Sequence, residues 1–367
     1  MQVPFFNYPK LYQDDAEMLD PVINDCLKRG AFIMQDDLTS FEEELAKYLN
    51  VKHVIGVADG TMAILLGLKA MNLTPGGEVI LPSHTFVATA AAVKHAGLKP
   101  VLADCKEDHL LDHNDLEHRI NEKTVAIMPV QLNGRTCEMD KIQEIASKNS
   151  LKIAEDSCQA LGSKFKDQFA GTFGSFGALS FYPSKTLGCF GDGGAIITSD
   201  SELYSKIIQL RDHGRGEDGL VSKWGFNSRL DNIQAAILKA KFSKYDRIIQ
   251  ERRSLAKHYI RLLSDISEIV LPPLDDLNHF DVFQNFEIRA KNRDNLVNYL
   301  IENHIGTLKQ WGGFCLHQFP DLNMNSDTPF CEELTKNFLM LPLNTTLTME
   351  DIEHVCKTIK KFYKKTY

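Results

Sequence analysis

Residues 54–71, Val54-Ile-Gly-Val-Ala-Asp-Gly-Thr-Met-Ala-Ile-Leu-Leu-Gly-Leu-Lys-Ala-Met71, read in turn as a strand, a turn and a helix. The run 54–57 has the apolar character of a buried strand, and 62–71, rich in Ala and Leu, is expected to be helical. Between them Asp59-Gly60-Thr61 sets backbone N–H groups and a hydroxyl at a helix N-terminus, where the macrodipole favours an anion. These residues suit a phosphate site and a plain capped glycine turn equally well.

The same unit recurs on the C-terminal side. Residues 78–82 read as a strand, 85–96 as a helix, 100–104 as a strand, and Asn114 opens another helix. Strand, helix and strand follow at 124–130, 139–148 and 151–154. This alternation predicts parallel βαβ units, whose ligands bind beyond the carboxyl ends of the strands. The residues there are Gly60 and Thr61, Thr85 and Phe86, Gln131 and Asn133, Glu155 to Gln159, and Ser180 with Lys185. On the N-terminal side, Thr39-Ser-Phe-Glu-Glu43 has the spacing of a capping box and predicts a helix start, and 16–27 reads as a helix before it.

Composition narrows the function classes. The chain has 367 residues, 43% hydrophobic and 25% charged, enough for a large core and two domains. A net charge of -8 argues against a nucleic-acid partner, which calls for a basic surplus. The eight cysteines are dispersed without a Cys-x-x-Cys pair, which points to reduced thiols and away from zinc or a disulfide framework. No apolar run approaches the roughly 20 residues of a membrane span, so no membrane partner and a cytoplasmic location are expected.

A further strand-like run, 178–182, feeds a turn presenting Lys185, with glycines on either side at Gly171, Gly174, Gly177 and at Gly191, Gly193, Gly194. A lysine desolvated at a strand end drops below its solution pKa of about 10.4 and becomes a nucleophile towards aldehydes. A solvated surface lysine is the alternative, and its company decides between them. Pyridoxal 5'-phosphate (PLP) requires a Schiff-base lysine, a carboxylate for its ring nitrogen, an aromatic face and donors for its phosphate. Lys185, Asp156, Phe86, and Thr61 with Ser180 are residues of those kinds, all expected on one rim.

In order, Asp59-Gly-Thr61, Thr85-Phe-Val-Ala-Thr89, Glu155-Asp-Ser-Cys-Gln-Ala160, Ser180-Phe-Tyr-Pro-Ser-Lys185, Gly191-Asp-Gly-Gly-Ala195 and the run 225–238 resemble the motifs of the DegT/DnrJ/EryC1/StrS family of PLP-dependent nucleotide-sugar aminotransferases. The resemblance extends from about Phe32 to the segment 348–352, nearly the whole chain. It implies an α/β protein of aspartate-aminotransferase-like fold-type I. Residues 1–245 would form a large, mostly parallel sheet domain with helices on both faces, and residues 246–367 a smaller C-terminal α/β domain.

It also implies roles residue by residue. Lys185 and Asp156 would be catalytic, Gly60, Thr61 and Ser180 would hold the cofactor phosphate, Phe86 would stack on the ring and Gln159 would lie near its hydroxyl. Asn227 would reach the phosphate from the neighbouring subunit of a homodimer with shared active sites. The implied reaction aminates a nucleotide-linked keto-deoxysugar, a dTDP- or UDP-4-keto-6-deoxyhexose, with L-glutamate as donor. A 3-keto sugar and a non-catalytic, PLP-bound regulatory protein are the alternatives. Where family members often read P-V-H-L-Y-G, this chain has Pro129-Val-Gln131-Leu-Asn133-Gly134, so an amide replaces an imidazole. Gln131, Asn133, Trp311 and His317 are the candidate substrate contacts.

Further along, 201–212 reads as a helix, 213–219 as a glycine-rich charged loop suited to a substrate lid or a solvated connection, and Arg229 opens a helix expected to continue to Leu263. Strands at 282–288 and 338–343 and helices at 292–303 and from Met349 make up the C-terminal part. Asp108-His109-Leu-Leu-Asp112-His113 places two histidines four apart, a metal spacing only on a helix; it precedes the Asn114 cap and is expected to be a solvated loop, with no metal bound.

Overall fold

A computed structural model describes residues 1–216, 218–274, 276–324 and 326–366. In chain order the first elements are α1 (Tyr8–Arg29), α2 (Asp36–Leu49), β1 (His53–Val57), α3 (Gly60–Ala70), β2 (Glu78–Pro82), α4 (Val87–His95) and β3 (Lys99–Ala103). Next come α5 (His113–Arg119), β4 (Thr124–Ile127), α6 (Met139–Lys148), β5 (Lys152–Asp156), the short β6 (Lys164–Phe165) and β7 (Gln168–Phe169), then β8 (Phe176–Ser180) and β9 (Gly194–Thr198). They are followed by α7 (Ser201–Arg211), α8 (Asn232–Phe242), α9 (Tyr245–Leu263), β10 (Ile269–Val270), β11 (His279–Phe280) and β12 (Phe286–Ala290). The chain continues through α10 (Arg293–Glu302), α11 (Pro329–Asn337), β13 (Phe338–Leu341) and α12 (Met349–Thr366).

The large sheet has the order β1-β9-β8-β5-β4-β2-β3. From β8 to β3 every pairing is parallel, while β9 runs antiparallel to both β8 and β1. Register then brings distant residues level: Val57 pairs with Gly194, Gly194 with Ser180, and Ala178 with Asp156. The loop 181–193 joins an antiparallel pair and therefore has to lie on the carboxyl rim of the sheet, where α3 and α4 also begin.

Helix α3 is apolar from Met62 to Leu68 because it is covered on several sides: Ala63, Ile64, Leu65, Leu66 and Leu68 are all buried in the core between the sheet and its neighbouring helices. A second sheet, β10-β12-β13, packs on a separate core that includes Tyr259, Phe286, Ile288, Leu339 and Ile359. Val3 joins that core and bridges to Ile305, so the chain's first residues lie with its C-terminal part. Helix α9 begins beside Phe41 and Leu161 in the large unit's core and ends, through Tyr259 and Leu263, in the other. Among the described residues no helix is long and apolar enough to cross a membrane.

Two local expectations are corrected. Helix α2 starts at Asp36 after Gln35, so Thr39 is not its cap; Glu42 instead accepts from the Gly56 N–H at 2.7 Å and from Arg211 at 2.9 Å, tying α2 to β1 and α7. The helix expected from Arg229 to Leu263 is two helices. Lys244 leaves helical geometry at ψ 13°, and the Ser243 hydroxyl donates to the Ala240 carbonyl at 2.7 Å, taking up an acceptor freed at the end of α8.

Gly67 lets α3 approach β8, since a Cβ there would stand 2.4 Å from ring carbons of Phe176. Gly67→Ala is therefore expected to lower stability by about 1–3 kcal/mol through overpacking, although Ala is the better helix former. Urea denaturation measures the loss, and adding Phe176→Leu is expected to recover part of it.

Candidate active site

The rim loop carrying Lys185 is held from several directions. Phe181 N–H donates to Gly193 O at 2.7 Å, and Lys185 N–H to Tyr182 O at 2.8 Å. Gln284 clamps both flanks of the lysine: its Nε2 donates to Ser184 O at 2.9 Å, and its Oε1 accepts from the Thr186 N–H at 2.7 Å and hydroxyl at 2.8 Å. The Gln284 backbone is fixed in turn, its carbonyl accepting from Arg252, whose guanidinium burial draws down to about 10. Burial lowers the pKa of Lys185, with the charges of Cys158 and Asp156 working the other way. The chemistry is that of an amine prepared to be a neutral nucleophile.

Two glycines are required by close approach. A Cβ on Gly60 would lie 2.8 Å from Cys158 Sγ and 2.9 Å from Ser180 Cβ; one on Gly194 would lie 2.4 Å from the carbonyl carbon of Asp59. The start of α3 is thus pressed against the end of β8. Asp59 caps it by accepting from Met62 N–H at 2.8 Å, and no acceptor meets the N–H groups of Gly60 or Thr61 among the described residues.

Adjacent acids on β5 face opposite sides, as strand alternation demands. Asp156, buried, accepts from the Thr89 hydroxyl at 2.7 Å and from Cys158 N–H at 3.2 Å, and Thr89, in the first turn of α4, is bonded at 2.8 Å to Thr85, which lies just before that helix. Beside them the Phe86 ring is 51% exposed. Glu155 points the other way and accepts from the N–H groups of Gly171 (2.7 Å), Phe173 (2.6 Å) and Gly174 (3.0 Å) and from Gln131 Nε2 at 2.8 Å. Burial pushes its pKa up and those donors oppose the rise. Glu155 is structural: it shapes the loop that enters β8.

The residues considered for the substrate separate here. Gln131 is fully buried between Glu155 and the Cys137 N–H, so it presents nothing to a substrate. The imidazole of His317 turns inward, its Nδ1 bonded to Ser83 at 2.7 Å and Thr328 at 3.1 Å. Trp311 is half-buried with its ring 4.9 Å from that of His84. Asn133 belongs to a polar hub centred on Glu287, and Asn227 is exposed. The stretch expected as a solvated loop is corrected too, because His109 is buried and bonds Glu287 at 2.7 Å, opposite His84 at 3.2 Å.

His84, His109 and Glu287 are close enough to hold a metal ion, but Glu287 also receives the amides of Asn133 (3.1 Å) and Gln310 (2.7 Å). With four donors converging on one carboxylate, the cluster is satisfied as a hydrogen-bonded hub. Gln284 and Glu287 were not anticipated from the sequence; Gln284 lies about 100 residues from the lysine turn it clamps and Glu287 more than 150 from Asn133, His109 and His84, and no local pattern marks them.

The family model described as the DegT/DnrJ/EryC1/StrS aminotransferase family matches residues 13–360. The chain belongs to this family. It is 34% identical to dTDP-3-amino-3,4,6-trideoxy-alpha-D-glucose transaminase of Streptomyces venezuelae, covering 98% of this chain and 96% of that protein. It is 35% identical to a "pleiotropic regulatory protein" of Geobacillus stearothermophilus, covering 99% of each. A crystal structure of S. venezuelae DesV in complex with a ketimine intermediate superposes with a TM-score of 0.94 at 34% identity, over 98% of each chain. Other relatives are named for 3-amino sugars on dTDP or UDP. The chain is an aminotransferase, and its cofactor is PLP. The rim fits that group: a half-buried lysine whose amine is desolvated, a buried carboxylate, an exposed aromatic face and a glycine-lined helix start converge there.

Glu155→Ala would leave three backbone N–H groups and one amide without their acceptor, and is expected to destabilise the protein by about 3 kcal/mol or more. Thermal unfolding of the purified variant, scored beside Glu155→Gln, measures it.

Proposed function

We propose that the chain transfers an amino group from L-glutamate to a keto sugar carried on a nucleoside diphosphate, in a homodimer whose subunits share their active sites. The observation that carries this reading is the convergence of Lys185, Asp156, Ser180, Gly60 and Phe86 on one rim, with burial favouring the neutral amine of Lys185. PLP, when bound, supplies an electron sink that makes the carbon bearing the donor's amine acidic. Lys185 would hold the cofactor covalently and, once displaced by the incoming amine, carry a proton between neighbouring atoms as base and then acid. Asp156, oriented by Thr89 and the Cys158 N–H, would face the ring nitrogen and favour its protonated form.

Phe86 would cover the ring, and the phosphate would be taken by the Gly60 and Thr61 N–H groups with the Thr61 and Ser180 hydroxyls. Gln159 would lie beside the ring hydroxyl. Asn227 would serve the neighbouring copy. Supporting that, Trp224 is 96% exposed three residues before Asn227, with Leu220 and Val221 also exposed, a patch suited to cover by a second chain. The relatives named for 3-amino sugars support a C3 carbonyl over the C4 carbonyl expected from the sequence. A regulatory protein that keeps the cofactor without turnover is the second reading, motivated by the name of the Geobacillus relative.

Incubation with L-glutamate and dTDP- or UDP-linked 3-keto and 4-keto sugars, followed by assay of 2-oxoglutarate and of the amino sugar, tests the proposal. Release of 2-oxoglutarate with one of them is expected; retained cofactor with no release across the panel would favour the regulatory reading. Borohydride is expected to fix the cofactor on wild-type protein and not on Lys185→Ala. If Asn227 serves its neighbour, mixing the inactive Lys185→Ala and Asn227→Ala proteins should restore up to about one quarter of wild-type activity, since half the dimers are hybrids with one intact site.

A further inference from the structure

The amide of Gln159 is anchored at one end. Its Oε1 accepts from the backbone N–H of Asn133 at 2.9 Å and from Asn285 Nδ2 at 3.1 Å. A backbone N–H only donates, so the atom it meets is the carbonyl oxygen and the other end of the amide is Nε2. Among the described residues Nε2 has no hydrogen-bond partner, and Gln159 lines a small cavity together with Lys185, Ser180 and Cys158.

A second fixed point sets the same direction independently. Burial works against the charge of Glu287, but His84 and His109 beside it hold its carboxyl well below the usual range, and an ionised carboxylate only accepts. Asn133 therefore gives its Nδ2 to Glu287, leaving its Oδ1 to accept from Asn285 Nδ2 and from Gln310 Nε2, both at 2.9 Å. Asn285 must then offer its NH2 to Asn133 and to Gln159 alike. Asn133 makes these contacts from a left-handed backbone, φ 56°, which Asn adopts more readily than most residues.

We infer that the network running from Glu287 through Asn133 and Asn285 fixes Gln159 as a hydrogen-bond donor to the ring oxygen of the cofactor, which makes Asn133 and Asn285 positioning residues for the reaction. The inference rests on the proposed placement of Gln159 beside the ring hydroxyl. A donor there stabilises negative charge on the ring oxygen and weakens its hold on the proton of the nitrogen that joins Lys185 to the cofactor, so that proton leaves at lower pH.

The test is a pH titration of the visible absorbance of the cofactor-loaded protein. Gln159→Leu removes the donor and is expected to raise the midpoint by about one unit or more, as loss of a hydrogen bond to a charged group does. Asn285→Asp puts a carboxylate opposite two carbonyl oxygens, sets its pull on the Gln159 NH2 against the Asn133 N–H that holds the amide oxygen, and is expected to raise the midpoint. The neutral Asn285→Ala, which removes one of two anchors, is expected to raise it by less; it separates the network from a bare charge effect and serves alone if the aspartate variant does not fold. A midpoint that rises in Gln159→Leu and stays at the wild-type value in Asn285→Ala overturns the network's role. No rise in Gln159→Leu overturns the placement of Gln159 itself, and the inference with it.

Discussion

Strand β9 pairs antiparallel with both β8 and β1, and the geometry of the site depends on that reversal. In a wholly parallel sheet the chain leaving β8 would cross a face of the sheet through a helix before returning. Here it turns back on the rim, and the residues that turn with it include Lys185. The same pairing levels Gly194 with Ser180 and with Val57, bringing the start of α3 against the end of β8 closely enough that Gly60 and Gly194 have no room for a Cβ. The anion-binding helix start and the lysine loop are thus neighbours through register.

Buried charge is handled differently on the two sides of this rim. On β5 one acid, Asp156, is left with a hydroxyl and one N–H, keeping a face for a ligand, while its neighbour Glu155 is saturated by four donors and serves the backbone. Glu287, on the smaller sheet, is saturated by two imidazoles and two amides drawn from both sheets' surroundings. A carboxylate satisfied in this way has one stable set of partner orientations. It can therefore impose donor and acceptor directions on amides that would otherwise turn freely.

Much of the fold was legible in advance. The alternation from residue 54 to 154 gave parallel units because apolar runs of strand length and helical stretches are recorded locally, and the strand at 338–341 and the last helix were visible for the same reason. Boundaries slipped where a local signal was reused elsewhere. Thr39 to Glu43 has the form of a cap, but the carboxylate of Glu42 is claimed by Gly56 and Arg211, residues far along the chain. The break between α8 and α9 rests on a single serine hydroxyl and one lysine's backbone, with no glycine or proline to announce it.

By itself, the sequence determined which chemical groups stand at the strand ends: Lys185, Asp156, Phe86, Ser180 and the Gly60-Thr61 turn, together with their order, from which the family follows. Only the tertiary structure decided what those groups are bonded to. It enclosed Gln131, engaged the Nδ1 of His317 with Ser83 and Thr328, buried His109 beside Glu287, and recruited Gln284 and Asn285 to hold the lysine turn and the Gln159 amide. The reason is physical. The identity of a strand-end residue and the face it occupies are set by local pattern, whereas the partner of a buried polar group is whichever distant donor or acceptor the packing brings within 3 Å, and it must find one.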